Sequence, residues 1–92
     1  MKKRTKLEIV KDILEVLKEN RNVRITHIIY KANLSNNSIK SYISGLIENQ
    51  LIKESNEKGK RYFVITEKGY EFLKEFGRMK IFSESYGLGN LY

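Results

Sequence analysis

Residues 34–49 constrain the fold more than any other part of the chain, because their apolar residues repeat with the period of an α-helix. The apolar positions recur at intervals of three, four, seven and eight residues, so they lie on one face of a helix. They are Ile39, Tyr42, Ile43, Leu46 and Ile47. Ser35 stands just ahead, where its hydroxyl can accept a backbone N–H of the first turn. The pattern predicts a helix that begins after Ser35 and ends near Asn49.

The opposite face of this predicted helix is polar and contains no acidic residue before Glu48. Asparagine amides bond the edge of adenine, serine hydroxyls bond phosphates or bases, and lysine reaches phosphate or guanine. We interpret the helix as a DNA recognition helix; the alternative is a solvent-facing surface that is merely polar. The candidate contact residues are Asn36, Asn37, Ser38, Lys40, Ser41 and Ser44.

The segments before this helix complete a helix-turn-helix pattern. Residues 5–19 have a wide apolar stripe that predicts a first helix, and residues 23–25 predict a short strand with a single bridge. We expect Thr26 to cap a second helix at residues 27–33, followed by a tight turn at residues 33–35. A short helix, a turn of about three residues and a second helix form the helix-turn-helix motif.

The segments after it predict a hairpin and a last helix. Residues 51–54 and 61–65 are rich in β-prone residues and predict two strands, joined by a loop at residues 55–60. We expect Thr66 to cap a helix that reaches about residue 80–83. Two glycines weaken that helix, Gly69 and Gly77.

The predicted order is helix, strand, helix, helix, strand, strand, helix, which is the order of a winged helix-turn-helix domain. The fold class is therefore α+β, mainly α, with a C-terminal dimerisation helix. Residues 1–66 would form the DNA-binding core with a basic N-terminal arm. Residues 67–83 would form the dimerisation helix and residues 84–92 a tail.

The composition favours a nucleic-acid partner. The 92 residues carry a formal net charge of +7 with a pI near 9.7, and such an excess favours nucleic acid or an anionic membrane. No apolar run approaches the roughly 20 residues that span a bilayer, and the N-terminus lacks a signal-peptide core. We expect a cytoplasmic, nucleoid-associated protein without a membrane role. Because there is no Cys and one His, we expect no enzyme, metal, cofactor or small-molecule substrate.

Basic residues flank the recognition helix in two places. The hairpin loop is a candidate wing that would lie on the phosphate backbone or in the minor groove, although a basic loop also simply keeps a protein soluble. The wing candidates are Asn56, Lys58, Lys60 and Arg61. Other basic side chains would contact the backbone, or in the case of the N-terminal ones remain solvated. These are Lys2, Lys3, Arg4, Arg24, His27 and Lys31.

Three segments resemble the archaeal small winged-helix family, which includes the Sulfolobales chromatin-type proteins that dimerise through a C-terminal coiled coil. The segments are residues 29–35 (Ile-Tyr-Lys-Ala-Asn-Leu-Ser), residues 46–52 and residues 62–69. The resemblance covers roughly residues 7–76 and implies a dimeric DNA-binding protein. One departure is the last helix, which is shorter than in those proteins and is expected to break near Gly77 or soon after Phe82.

The last helix carries more large apolar surface than one small core needs. Packing against the first helix accounts for part of it, and we expect a second copy of the chain to cover the rest. The candidate dimerisation residues are Phe72, Phe76, Met79 and Phe82. The sequence thus indicates a homodimer that binds double-stranded DNA, as a transcriptional regulator or a chromatin-type architectural protein. The alternative is a winged-helix protein–protein interaction module whose basic face binds an acidic partner.

Overall fold

A computed structural model describes residues 3–87, which form four helices and one two-stranded antiparallel hairpin. This architecture confirms the predicted winged-helix order. The elements are α1 (Lys6–Glu19), α2 (Ile25–Lys31), α3 (Asn36–Glu48), β1 (Ile52–Glu57), β2 (Lys60–Ile65) and α4 (Glu67–Ser85). None of the helices in this part of the chain is long and apolar enough to cross a membrane.

Helix α1 lies at the centre of the domain and packs against α2, β2 and α4. Its start is defined by a capping box, in which Thr5 accepts from the Glu8 amide and the Glu8 carboxylate accepts from the Thr5 amide. Its inner face is buried at Ile13, Leu14 and Leu17. The wide apolar stripe of the sequence is explained by this position, since three elements cover the helix.

The one-bridge strand predicted at residues 23–25 is confirmed as an isolated bridge, in which Val23 exchanges two hydrogen bonds with Phe63 of β2. Helix α2 then begins two residues earlier than predicted, at Ile25, with Arg24 and not Thr26 as the N-cap. The prediction that Thr26 caps this helix was wrong, because Thr26 lies inside α2 and no side chain caps the start of the helix. Burying Ile28 and part of Ile25 against the core decides where the helix starts.

The turn between α2 and α3 is a Schellman motif. Asn33 adopts a left-handed φ of 54°, the Leu34 amide donates to the Ile29 carbonyl at 3.0 Å, and the Asn33 amide donates to the Tyr30 carbonyl. This geometry is typical of a helix end and satisfies the carbonyls of Ile29 and Tyr30. Ser35 then caps α3 by accepting from the Ser38 amide, so the predicted start of a helix after Ser35 is confirmed.

The wing is tighter than the predicted six-residue loop. The strands pair from Ile52 opposite Ile65 to Glu57 opposite Lys60, which leaves a two-residue turn at Lys58 and Gly59. Both turn residues have positive φ, 52° and 76°, as a type I′ turn requires, and this turn matches the twist of the paired strands. The strands therefore extend further toward the tip than the β-prone residues alone indicated.

Helix α4 begins at the predicted cap, Thr66, whose hydroxyl accepts from the Gly69 amide and donates to the Gln50 carbonyl at 2.6 Å. Of the two positions expected for the end of this helix, Gly77 is passed without a break, and the helix ends soon after Phe82, at Ser85. A single glycine costs about 1 kcal/mol in a helix interior, which good helix formers on both sides offset. The helix thus enters the segment predicted as a tail, of which residues 88–92 lie outside the described residues.

Candidate nucleic-acid interface

Helix α3 presents one buried and one exposed face, as its apolar period predicted. Ile39, Ile43 and Leu46 are buried in the core, while all six candidate contact residues are exposed. Within residues 3–87, four of these side chains form no hydrogen bond or ion pair. They are Asn36, Asn37, Lys40 and Ser44. Their amide, ammonium and hydroxyl groups are therefore available to a partner.

The remaining serines of α3 are partly engaged in their own helix. The Ser35 hydroxyl donates to the Ser38 hydroxyl at 2.9 Å, and the Ser41 hydroxyl donates to the Ser38 carbonyl at 3.0 Å. Since the donor of Ser41 is occupied, this residue offers a partner only its acceptor lone pairs. Ser38 retains its own hydroxyl proton as a donor. The serines thus add polarity to the exposed face without adding charge.

The four wing candidates do not share one face of the hairpin. Side chains alternate along a strand, and the register places Asn56 opposite Arg61 on one face. Lys60, opposite Glu57, lies on the other face, and Lys58 lies in the turn. All four side chains are exposed. A wing of this shape offers basic groups to both of its sides and at its tip.

Arg61 is held by neighbours in its own hairpin. Its Nε forms a hydrogen-bonded ion pair with the Glu54 carboxylate, and its guanidinium carbon lies 5.3 Å from the centre of the Phe63 ring. The ion pair joins adjacent strands on one face of the sheet. Arg61 therefore has an intramolecular partner that the other three wing candidates lack among the described residues.

The candidates that flank α3 fall into two groups. Arg24 and Lys31 are exposed at the two ends of α2, and His27 is half-buried between them. In the N-terminal arm Lys3 is exposed, Lys2 lies outside the described residues, and Arg4 is half-buried. The Arg4 guanidinium makes three hydrogen bonds within the chain, to Asp12 and to the carbonyls of two residues in the turn after α2. Three of its five N–H groups are thus used by the fold.

Tyr30 is a surface residue that the sequence analysis did not select as a candidate. Its side chain is 81% exposed and lies in the last turn of α2, next to Lys31. The exposure of Tyr30 could have been predicted from the helical repeat, because Ile25, Ile28 and Ile29 point inward and leave residue 30 on the outer face. An aromatic ring with a hydroxyl at this point adds a stacking and hydrogen-bonding group beside the recognition helix.

The four dimerisation candidates divide between the core and the surface. Phe76 is buried and Phe72 is half-buried against its own chain, with the two rings 6.2 Å apart. Their apolar stripe continues along α4 as Met79, Phe82 and Tyr86, which are 49%, 55% and 67% exposed. The Phe82 and Tyr86 rings lie 4.6 Å apart. Of the exposed large apolar side chains of α4, Met79, Ile81 and Phe82 lie in its second half, and Tyr70 lies in its first half.

Together these elements define a winged helix-turn-helix domain, in which the exposed face of α3 carries no acidic residue before Glu48. A family model described as winged helix-turn-helix matches residues 3–84, and the chain belongs to that family. Within the described residues no cluster of His, Cys, Asp or Glu side chains could hold a metal ion.

Similar proteins include archaeal ones, as the sequence segments indicated. An uncharacterised protein of Methanocaldococcus jannaschii is 39% identical over 67 residues, which are 73% of this chain and 64% of that protein. Sso10a-2, a DNA-binding protein from Sulfolobus solfataricus, is 26% identical with a TM-score of 0.79, covering 91% of this chain and 87% of that chain. These relatives confirm the resemblance to archaeal winged-helix proteins.

The fold is also similar to that of a PadR family transcription regulator from Clostridium difficile R20291. The two chains are 20% identical with a TM-score of 0.72, and the match covers 85% of this chain and 92% of the regulator. At this identity the likeness concerns the fold alone. The same arrangement of helices and wing thus occurs on sequences that differ at four positions in five.

Proposed function

We propose that this protein binds double-stranded DNA with α3 in the major groove and the β1–β2 wing on the phosphate backbone. The observation that carries the proposal is the exposed face of α3, where Asn36, Asn37, Lys40 and Ser44 have no partner among the described residues and no acidic neighbour before Glu48. The N-terminal residues of the second helix of a helix-turn-helix reach base edges. Sso10a-2, which has a similar fold, is a DNA-binding protein.

Electrostatics supports the same proposal. Five exposed cationic side chains lie at the two ends of α2, on α3 and at the tip of the wing, and they form no ion pair within residues 3–87. They are Arg24, Lys31, Lys40, Lys58 and Lys60. Phosphate contacts supply most of the non-specific affinity of such proteins. The chain's formal net charge of +7 acts in the same direction.

The exposed face of α3 contains no arginine, which is the commonest partner of guanine. We therefore propose modest sequence selectivity, with most of the affinity supplied by Lys and Arg residues outside α3. A transcriptional regulator and a chromatin-type architectural protein both fit this description. Selection of bound fragments from random duplex DNA separates them, because a sharp motif indicates a regulator and no motif indicates an architectural role.

The test of the recognition helix is the double variant Asn37→Ala with Lys40→Ala. Both residues are exposed, so the melting temperature should stay within a few degrees, while loss of the Lys40 contact alone lowers affinity about eightfold near 0.1 M salt. Lys74→Ala on the exposed side of α4 is the control for loss of one charge. Unchanged binding by the double variant would move the contact surface away from α3. Binding of acidic proteins in place of duplex DNA would favour the interaction-module alternative.

We also propose that the protein is a homodimer whose interface includes Met79, Phe82 and Tyr86. Helix α4 has 19 residues and is about 28 Å long, and this exposed apolar stripe runs along its second half. Burial of three large apolar side chains from each copy would stabilise the pair by several kcal/mol, at about 25 cal/mol per Å².

Light scattering at micromolar concentration tests the dimer. We expect twice the monomer mass for the native chain and the monomer mass for Phe82→Glu. The matched control is Ile81→Glu, because Ile81 is 68% exposed but lies about 100° around the helix from Phe82. A native chain with monomer mass, or equal dissociation of both variants, would contradict this interface.

We further propose a cytoplasmic location with the DNA.

A further inference from the structure

The Arg4 side chain connects three separate parts of the fold. Its Nη1 donates to Asp12 Oδ2 at 2.8 Å and to the Ala32 carbonyl at 2.7 Å. Its Nη2 donates to the Asn33 carbonyl at 2.8 Å. Asp12 belongs to α1, whereas Ala32 and Asn33 form the end of α2 and the start of the helix-turn-helix turn. One guanidinium thus joins the central helix to the turn.

Arg4 binds two carbonyls that receive no hydrogen bond from a backbone N–H of the turn. The Schellman motif uses the carbonyls of Ile29 and Tyr30, but those of Ala32 and Asn33 accept no backbone N–H within the described residues. Carbonyls at a helix C-terminus also carry the negative end of the helix dipole, which favours a cation there. Arg4 supplies both the donors and the charge.

Asp12 fixes the guanidinium in this position. Its Oδ2 accepts from Arg4, while its Oδ1 lies 3.1 Å from the Lys11 ammonium. The Arg4 and Asp12 side chains are 31% and 28% exposed, so water screens their pairing only in part. These hydrogen bonds use three of the five guanidinium N–H groups, which leaves only the Nε–H and one Nη2–H for a phosphate. The contacts therefore favour a role inside the protein.

The geometry points to Arg4 as a positioning residue for α3, which sets the angle at which the recognition helix leaves the turn. Only Leu34 and Ser35 separate Asn33 from the first residue of α3, so movement of the Asn33 carbonyl shifts the start of the helix. This inference rests on the proposed function for its effect on DNA. It reassigns a side chain that the sequence analysis placed on the phosphate backbone.

The test compares Arg4→Lys and Asp12→Asn with the native chain in fluorescence titrations of a labelled duplex at several salt concentrations. A lysine keeps the charge but cannot reach three acceptors in one plane, so we expect it to lower affinity about tenfold. Asp12→Asn makes the protein more positive, yet we expect it too to lower affinity. The slope of log affinity against log salt should not change. Lys74→Ala serves as the control for charge alone.

The opposite pattern would overturn the inference. If Arg4 contacts phosphate, Arg4→Lys retains most of the affinity, Asp12→Asn increases it, and Arg4→Ala reduces the salt slope by about 0.9. Hydrogen exchange in the free protein separates this inference from the proposed function. We expect the Leu34 and Ile39 amides to exchange faster in Arg4→Lys than in the native chain. Equal exchange rates would refute the positioning role, whether or not the native chain binds DNA.

Discussion

Removing the two free lysines at the tip of the wing gives the sharpest test of how the hairpin contributes to binding. Lys58 and Lys60 are exposed, lie at and beside the turn, and form no ion pair within the described residues. In Lys58→Gln with Lys60→Gln the side-chain length is nearly kept and two charges are lost. Each phosphate contact contributes about 0.9 to the salt slope, so the slope should become shallower by about 1.8. The expected loss of affinity is then about 60-fold near 0.1 M salt and about ninefold near 0.3 M salt.

The assay is a fluorescence anisotropy titration of a labelled duplex at four salt concentrations. The control variant is Lys74→Gln with Lys80→Gln, which loses the same charge from exposed positions on α4. We expect the control to bind with the native slope, because its lysines lie on the helix assigned to dimerisation. A wing variant with the native slope would refute the reasoning, since the hairpin would then make no phosphate contact. Equal losses in both variants would show that only net charge matters.

Two further substitutions, each with a control, should change duplex affinity or the free energy of unfolding in a stated direction. Glu54→Gln frees Arg61 from its ion pair, so duplex affinity should rise by up to about eightfold near 0.1 M salt with a steeper salt slope; Glu75→Gln, which breaks the Arg78 pair on α4, should change neither. Gly69→Ala would place a Cβ against the Leu51 carbonyl and should cost about 2–3 kcal/mol in denaturant unfolding. Its control, Gly77→Ala, has open space at the Cβ and should stabilise α4 by up to about 1 kcal/mol; loss of stability in Gly77→Ala would contradict the described packing.

The recognition helix was predictable because its signals are local. The apolar period of residues 39–47 defines the inner face, and Ser35 supplies a side-chain cap that the structure uses. The start of α2 was not predictable in the same way. Thr26 is a favoured capping residue type, but the cap falls at Arg24 because Ile25 and Ile28 must reach the core. Tertiary packing outweighed a local preference there.

The wing shows how a small change in a predicted loop alters the assignment of side chains. With a loop at residues 55–60, Asn56, Lys58 and Lys60 would belong to one flexible tip, next to Arg61 at the start of the second strand. The two-residue turn extends the ladder to Glu57 and Lys60, so the candidates alternate between faces of the hairpin. The positive φ of Lys58 decides this register, and a lysine is not a residue from which a left-handed conformation is expected.

The role of Arg4 could not be predicted from its charge alone. In the sequence it is one of several cations in a basic arm, whereas in the fold it contacts residues 28 and 29 positions away. No local pattern distinguishes it from Lys3, which is exposed. The distinction arises from the packing of α1 against α2, which brings two unsatisfied carbonyls to the guanidinium.

The central claim is most directly tested by titrating the native chain against a labelled duplex at a series of salt concentrations. The five free cations around α3 and the wing predict binding at low salt, with log affinity falling against log salt at a slope of about −4 to −5 per subunit. An absence of duplex binding at about 50 mM salt would contradict the account, as would an affinity independent of salt, because counterion release makes phosphate binding weaken steeply as salt rises.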